Sequence, residues 1–150
     1  MHRIVLLLAL AACGSATPKS GAPLPPWKDM NADQRLEFMK STVLPAAKQK
    51  FQAFDAKKFA KFDCRTCHGK GAEDGSFEMP NPDIKALPPT AEAYEAWIAK
   101  DANAKRYTDF MSNEVVPMMS QLLQIKAFDP ATHTGEFSCP ACHTMAGEKK

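Results

Sequence analysis

The sequence predicts an all-α fold: a small helical domain built from two duplicated halves, each a helix followed by a five-residue Cys-x-x-Cys-His motif. Three observations predict it. Apolar residues recur at three- and four-residue intervals over two long stretches, no stretch alternates as a half-buried strand would, and landmarks of the first half return in the second.

The chain opens with a short basic start (His2, Arg3), an apolar run from Ile4 to Leu10, and Leu10-Ala11-Ala12-Cys13. The run is too short to span a bilayer, so residues 1–12 read as a signal segment that is removed. Leu10 to Cys13 resembles a bacterial lipobox, which implies that Cys13 becomes the lipidated first residue of the mature chain. The alternative is an ordinary signal peptide cut near Ala12, which would leave Cys13 as a free thiol. Residues 13–26 continue as a tether of small residues and proline without apolar periodicity, able to reach roughly 40 Å at about 3 Å per residue. The folded domain is expected over 27–150, with halves at about 27–89 and 90–150.

In the first half, Asn31 with Gln34 three residues on marks a helix start. Leu36, Met39, Val43, Ala47, Phe51 and Phe54 form its apolar stripe, and Pro45 inside the stripe predicts a kink or a restart. Residues 69–89 are rich in Gly, Pro, Asn and Asp and read as loop. A further helix is expected from Thr90 to about Lys100, with Tyr94, Trp97 and Ile98 on one side. The second stripe is Tyr107, Met111, Val115, Met118, Leu122 and Ile125, with Pro117 inside it.

The duplication rests on matched landmarks. Phe38-Met39, Val43-Leu44-Pro45, Phe54-Asp55 and Phe62 correspond to Phe110-Met111, Val115-Val116-Pro117, Phe128-Asp129 and Phe137. Methionine and proline are six residues apart in both copies, and Met39 precedes Cys64 by 25 residues where Met111 precedes Cys139 by 28.

The motifs themselves are Cys64-Arg65-Thr66-Cys67-His68 and Cys139-Pro140-Ala141-Cys142-His143. Cys-x-x-Cys-His is the signature of covalent haem attachment: two thiols a helical turn apart form thioethers with the haem vinyl groups, and the adjacent imidazole takes the proximal side of the iron. Two copies point to a dihaem c-type cytochrome with two haem c groups, Cys64, Cys67, Cys139 and Cys142 as attachment sites, and His68 and His143 as proximal ligands. With Cys13 assigned to lipidation, none of the five cysteines is left for a disulfide.

An exported, lipid-anchored location agrees with haem attachment on the oxidising side of the membrane. Two or three acyl chains, at about 0.8 kcal/mol per buried methylene, anchor durably where one does not. The expected place is the periplasmic face, and Gly14 after Cys13 favours the outer membrane over the inner. Each half is small enough that its own core is marginal, so bound haem would supply the missing apolar volume. Lys and Arg number 19 against 17 Asp and Glu, and these charges are scattered, so nothing marks nucleic acid as a partner. The expected partners are redox proteins and, through the anchor, the membrane.

Met39 and Met111 are the candidate distal iron ligands, because they share a repeat position on an apolar stripe. A thioether raises the potential relative to imidazole, which suits an electron carrier. The competing reading is that both are core methionines. For the second haem, Met118 and His133 remain alternatives, and Met79 has no counterpart in the other half.

A methionine-bearing helix followed by Cys-x-x-Cys-His, repeated, resembles the tetrahaem cytochrome subunit of photosynthetic reaction centres, itself often a lipoprotein. The likeness covers about residues 36–68 and 108–143. This chain carries two motifs rather than four and a longer gap between methionine and cysteine. The departures leave intact the reading of the two motifs as a dihaem electron carrier rather than an enzyme, since no paired acid and base stands out near either motif. Two other classes stay open: a haem enzyme or gas sensor with one open distal site, such as a dihaem peroxidase, and a haem-free lipoprotein whose cysteines form disulfides or bind zinc.

Overall fold

A computed structural model of the chain describes residues 24–147. The signal segment, Cys13 and most of the tether lie outside the described residues. Within them the fold is helical and has no strands, as the apolar periodicity predicts.

Helix α1 (Ala32–Phe38) begins at the expected cap. The Asn31 side chain accepts from the Gln34 amide at 2.9 Å, and the Gln34 side chain accepts from the Asn31 amide at 3.0 Å. This reciprocal pair satisfies two of the donors that every helix N-terminus leaves open. The chain then passes without a break through a π-helical segment (Met39–Val43) into α2 (Leu44–Phe54).

The second long helix is built the same way, from α6 (Ala102–Phe110) through a π-helical segment (Met111–Val115) into α7 (Val116–Leu123). Neither proline interrupts its helix. A proline ring collides with the carbonyl four residues back and removes a donor, and the ladder here widens by one residue just ahead of it. Leu44 donates to the Met39 carbonyl and Val116 to the Met111 carbonyl, five residues back in each case. The widened turn makes room for the ring while the backbone keeps right-handed helical dihedrals.

The two long helices pack on each other so that α2 lies against the second π-segment and α7 against the first. Between them lies an aromatic core centred on Phe51, whose ring centroid is 4.9 Å from Phe59, 4.9 Å from Phe62 and 5.1 Å from Phe110. Phe54 stacks on Phe110 at 4.1 Å, and Arg106 of α6 lies over the Phe54 ring while donating to the Phe54 carbonyl at 2.8 Å. Offset and edge-on pairs of this kind add about 0.5–1.5 kcal/mol each beyond the area they bury. Ala47 and Met118 complete the buried cluster.

Helix α5 (Ala91–Lys100) starts where expected, with the Thr90 hydroxyl capping the Ala93 amide, and packs on α6 through a Tyr94–Thr108 hydroxyl contact of 3.1 Å. The expected loop over 69–89 is irregular apart from one turn, α4 (Gly71–Asp74). The second stripe ends two residues early. Gln124 adopts a left-handed conformation and stops α7, so Ile125 falls outside the helix.

Candidate functional site

The first motif is a single helical turn, α3 (Cys64–His68), and its ends are tied locally. The Asp63 carboxylate accepts from the Arg65 amide at 2.9 Å, and the Thr66 hydroxyl accepts from the Asp63 amide at 3.2 Å. The Arg65 side chain beside it holds the Asp63 carboxyl below its ordinary value. Phe62 is buried in the aromatic core and Cys67 packs against the same cluster, so this turn sits directly on the hydrophobic interior. Burial, with smaller contributions from Cys142 and Cys64, pushes the Cys67 thiol up to about 12.

The second motif has the same spacing and a tighter backbone. Cys139–Ala141 is a 3-10 turn with no side-chain cap, and Pro140 stands at its second position. A folded-back loop delivers it: Phe128 donates to the Phe137 carbonyl at 2.9 Å, and Glu136 to the Lys126 carbonyl at 2.9 Å. Gly135 turns that loop at φ +101°, where a Cβ would meet the Ala127 carbonyl carbon at 2.6 Å, so only glycine fits. Phe137 is buried two residues ahead of Cys139, as Phe62 is ahead of Cys64. Burial, assisted by Cys139, raises the Cys142 thiol to about 11.

The two motifs lie against each other, joined by the segment 81–87. Asn81 is fully buried at 0% exposure. Its amide N–H donates to the Cys142 carbonyl at 2.9 Å, its side-chain Nδ2 donates to the Cys67 carbonyl at 2.8 Å, and its Oδ1 accepts from the Asp83 amide at 2.8 Å. The Asp83 carboxylate in turn accepts from the Lys70 amide at 2.8 Å. Gly69, next to His68, adopts φ +54°, and a Cβ there would come within 2.9 Å of Asn81 Oδ1 and 2.8 Å of Asp83 Cβ. Farther along, Leu87 donates to the Thr144 carbonyl at 2.9 Å and Ala146 donates to the Leu87 carbonyl at 2.7 Å.

This segment also fixes one imidazole. His143 Nδ1 lies 2.9 Å from the Lys85 carbonyl oxygen, a contact that places the proton on Nδ1 and leaves the Nε2 lone pair free. A carbonyl behind the ring is the usual support of a metal-binding histidine. His68 Nδ1 is buried without a well-formed hydrogen bond, and its ring meets Phe77 edge-on at 5.4 Å. Burial lowers the His68 pKa against an opposing effect of the Phe77 main chain, which favours the neutral ring.

These features fit haem attachment on two counts. Apolar surroundings that disfavour a thiolate suit an uncharged thioether, and burial favours the neutral His68 ring while the Lys85 carbonyl sets the His143 tautomer. Among the described residues no three His, Cys, Asp or Glu side chains are grouped as a compact metal site, and none of the four motif cysteines is bridged.

The candidate distal ligands occupy equivalent places in the backbone. Met39 and Met111 each open a π-segment and each lends its carbonyl to the widened turn. Both are half-buried, and Met111 packs against the aromatic cluster. Met118 is buried within that cluster. His133 stands on an exposed loop with its ring 6.4 Å from that of Phe128. Sequence reasoning missed Asn81, Asp83 and the Lys85 carbonyl, because Asn-Pro-Asp reads only as turn chemistry. Cys13 lies outside the described residues, and among the described residues no helix is long and apolar enough to cross a membrane.

Comparison of the chain with protein-family models, with characterised proteins and with solved structures returned no match.

Proposed function

We propose that this chain is a membrane-anchored, periplasm-facing dihaem cytochrome c that carries electrons between redox proteins. What carries the reading is the pair of complete Cys-x-x-Cys-His motifs, each with a histidine placed beside an inner cysteine that is partly buried. Haem, bound through Cys64, Cys67, Cys139 and Cys142, would supply reversible one-electron chemistry at iron.

The chain's own residues do the rest. His68 and His143 take the proximal positions, and the Lys85 carbonyl holds the His143 ring by its far nitrogen. Met39 and Met111 are the proposed distal ligands. Their support is the shared backbone device, since π-turns gather at functional positions and here begin at the same two methionines. That repeated device and the matched placement of Phe62 and Phe137 also support reading the two halves as a duplication. Lipidation at Cys13 would place this domain at the membrane surface on a tether, with the outer membrane favoured.

The deciding experiment is an absorption spectrum of the protein made in a host with c-type haem maturation. It is recorded oxidised, reduced, and reduced under carbon monoxide. Sharp low-spin bands for two haems that carbon monoxide leaves unmoved are the expected result. A carbon monoxide shift would mean an open site and an enzyme or sensor, and a chain without haem would end the haem reading.

A further inference from the structure

We infer that Asn81 is a positioning residue that locks the two haem-bearing motifs into one unit, so that their haems form a coupled pair rather than two independent centres. The inference rests on the haem reading above and deepens it. Three hydrogen bonds and complete burial carry it.

Cys67 and Cys142 are 75 positions apart in the chain, and Asn81 reaches both: its main-chain N–H to the Cys142 carbonyl, its side-chain Nδ2 to the Cys67 carbonyl. Asp83 saturates the remaining Oδ1 through its own amide, and its carboxylate ties back to Lys70 just past the first motif. The amide group is thus used at both ends and no water reaches it. A buried polar side chain is costly unless fully satisfied, and a fully satisfied one specifies a single arrangement of what it bridges. What it bridges here is the main chain of the inner cysteine of each motif, next to the proximal histidine in each case. Gly69 belongs to the same arrangement, since any side chain there would strike Asn81 and Asp83. The aromatic core is centred elsewhere, around Phe51, so Asn81 acts on the motifs rather than on that cluster.

The test uses the haem-loaded full chain and circular dichroism in the Soret band, where two neighbouring porphyrins give a paired positive and negative signal that isolated ones do not. Haem is counted on the same sample by intact mass. Wild-type protein carrying two haems is expected to show the couplet, and Cys139→Ser with Cys142→Ser, carrying one, to lose it. Asn81→Ala is expected to at least halve the couplet in molecules that still carry two haems. An undiminished couplet in that variant, or none in two-haem wild type, overturns the inference while leaving the haem reading standing. Absence of haem from wild type sinks both. Should Asn81→Ala fail to accumulate, Gly69→Ala, whose added Cβ would strike Asn81 Oδ1 and Asp83, displaces the same side chain. A reduced couplet then supports the inference and an unchanged one overturns it.

Discussion

The two Cys-x-x-Cys-His segments share their spacing and differ in what holds them. The first is secured by its neighbours in sequence, through the Asp63–Thr66 capping box, the burial of Phe62 and the packing of Cys67 against the aromatic core. The second has no side-chain cap and takes a tighter turn, held instead by a segment from far earlier in the chain, through Asn81, Lys85 and Leu87. The same five-residue pattern is thus stabilised by local contacts in one place and by long-range contacts in the other. Contacts across the chain make the second segment conditional on the first half being folded, whereas the first adds its own cap and core packing to the Asn81 bond the two share.

The largest expected effect breaks this comparison at its base. Cys64→Ser with Cys67→Ser should remove one haem and lower the melting temperature markedly. The matching pair, Cys139→Ser with Cys142→Ser, should also remove one haem but lower it less, because that segment stands off the aromatic cluster. With roughly 3–6 °C per kcal/mol for a domain of this size, calorimetry resolves the difference, and equal losses would remove the asymmetry.

Next comes the core on which the first segment rests. Phe51→Ala should cost about 3–5 kcal/mol, since three rings lose their common neighbour. Phe128→Ala, at a side chain 43% exposed, should change denaturant stability by less than about 0.5 kcal/mol.

Capping sharpens the contrast on a smaller scale. Asp63→Ala should lower stability measurably, whereas Ser138→Ala should cost little, because the Ser138 side chain caps nothing. The same carboxylate sets an acid limit. The folded-state pKa of Asp63 lies below its ordinary 3.8, first through the Arg65 side chain, so its contribution is complete above that value and is lost as pH falls through the lower, folded one. Acid titration below about pH 4 should therefore loosen the first segment's cap, followed by near-ultraviolet dichroism, and Asp63→Asn should remove that dependence.

The smallest structural change concerns the proposed iron ligands. Met39→His and Met111→His should each keep a low-spin spectrum and lower one potential by on the order of 0.1 V, a fraction of the roughly 0.8 V that axial ligands command. A potential that does not move excludes that methionine as a ligand.

Helix caps, apolar stripes and motifs were legible in the chain because each is a short-range pattern. Asn31 and Gln34 are three residues apart, Thr90 is followed at once by its helix, and Phe51 recurs at helical spacing with Ala47 and Phe54. How Pro45 and Pro117 are accommodated was not legible, because a kink, a restart and a widened turn all begin from the same residue. The difference between the two motif turns was not legible either, since an α-turn and a 3-10 turn share the same cysteine spacing.

The sequence by itself determined that the chain is helical, where its helices begin, and which cysteines and histidines form the two motifs, because periodicity and adjacency are written along the chain. Only the tertiary structure decided that the motifs meet, that Asn81 joins them and that Lys85 holds His143. Those contacts link residues dozens of positions apart, and an asparagine in a proline-rich loop has the same local pattern whether it faces solvent or spans the interior.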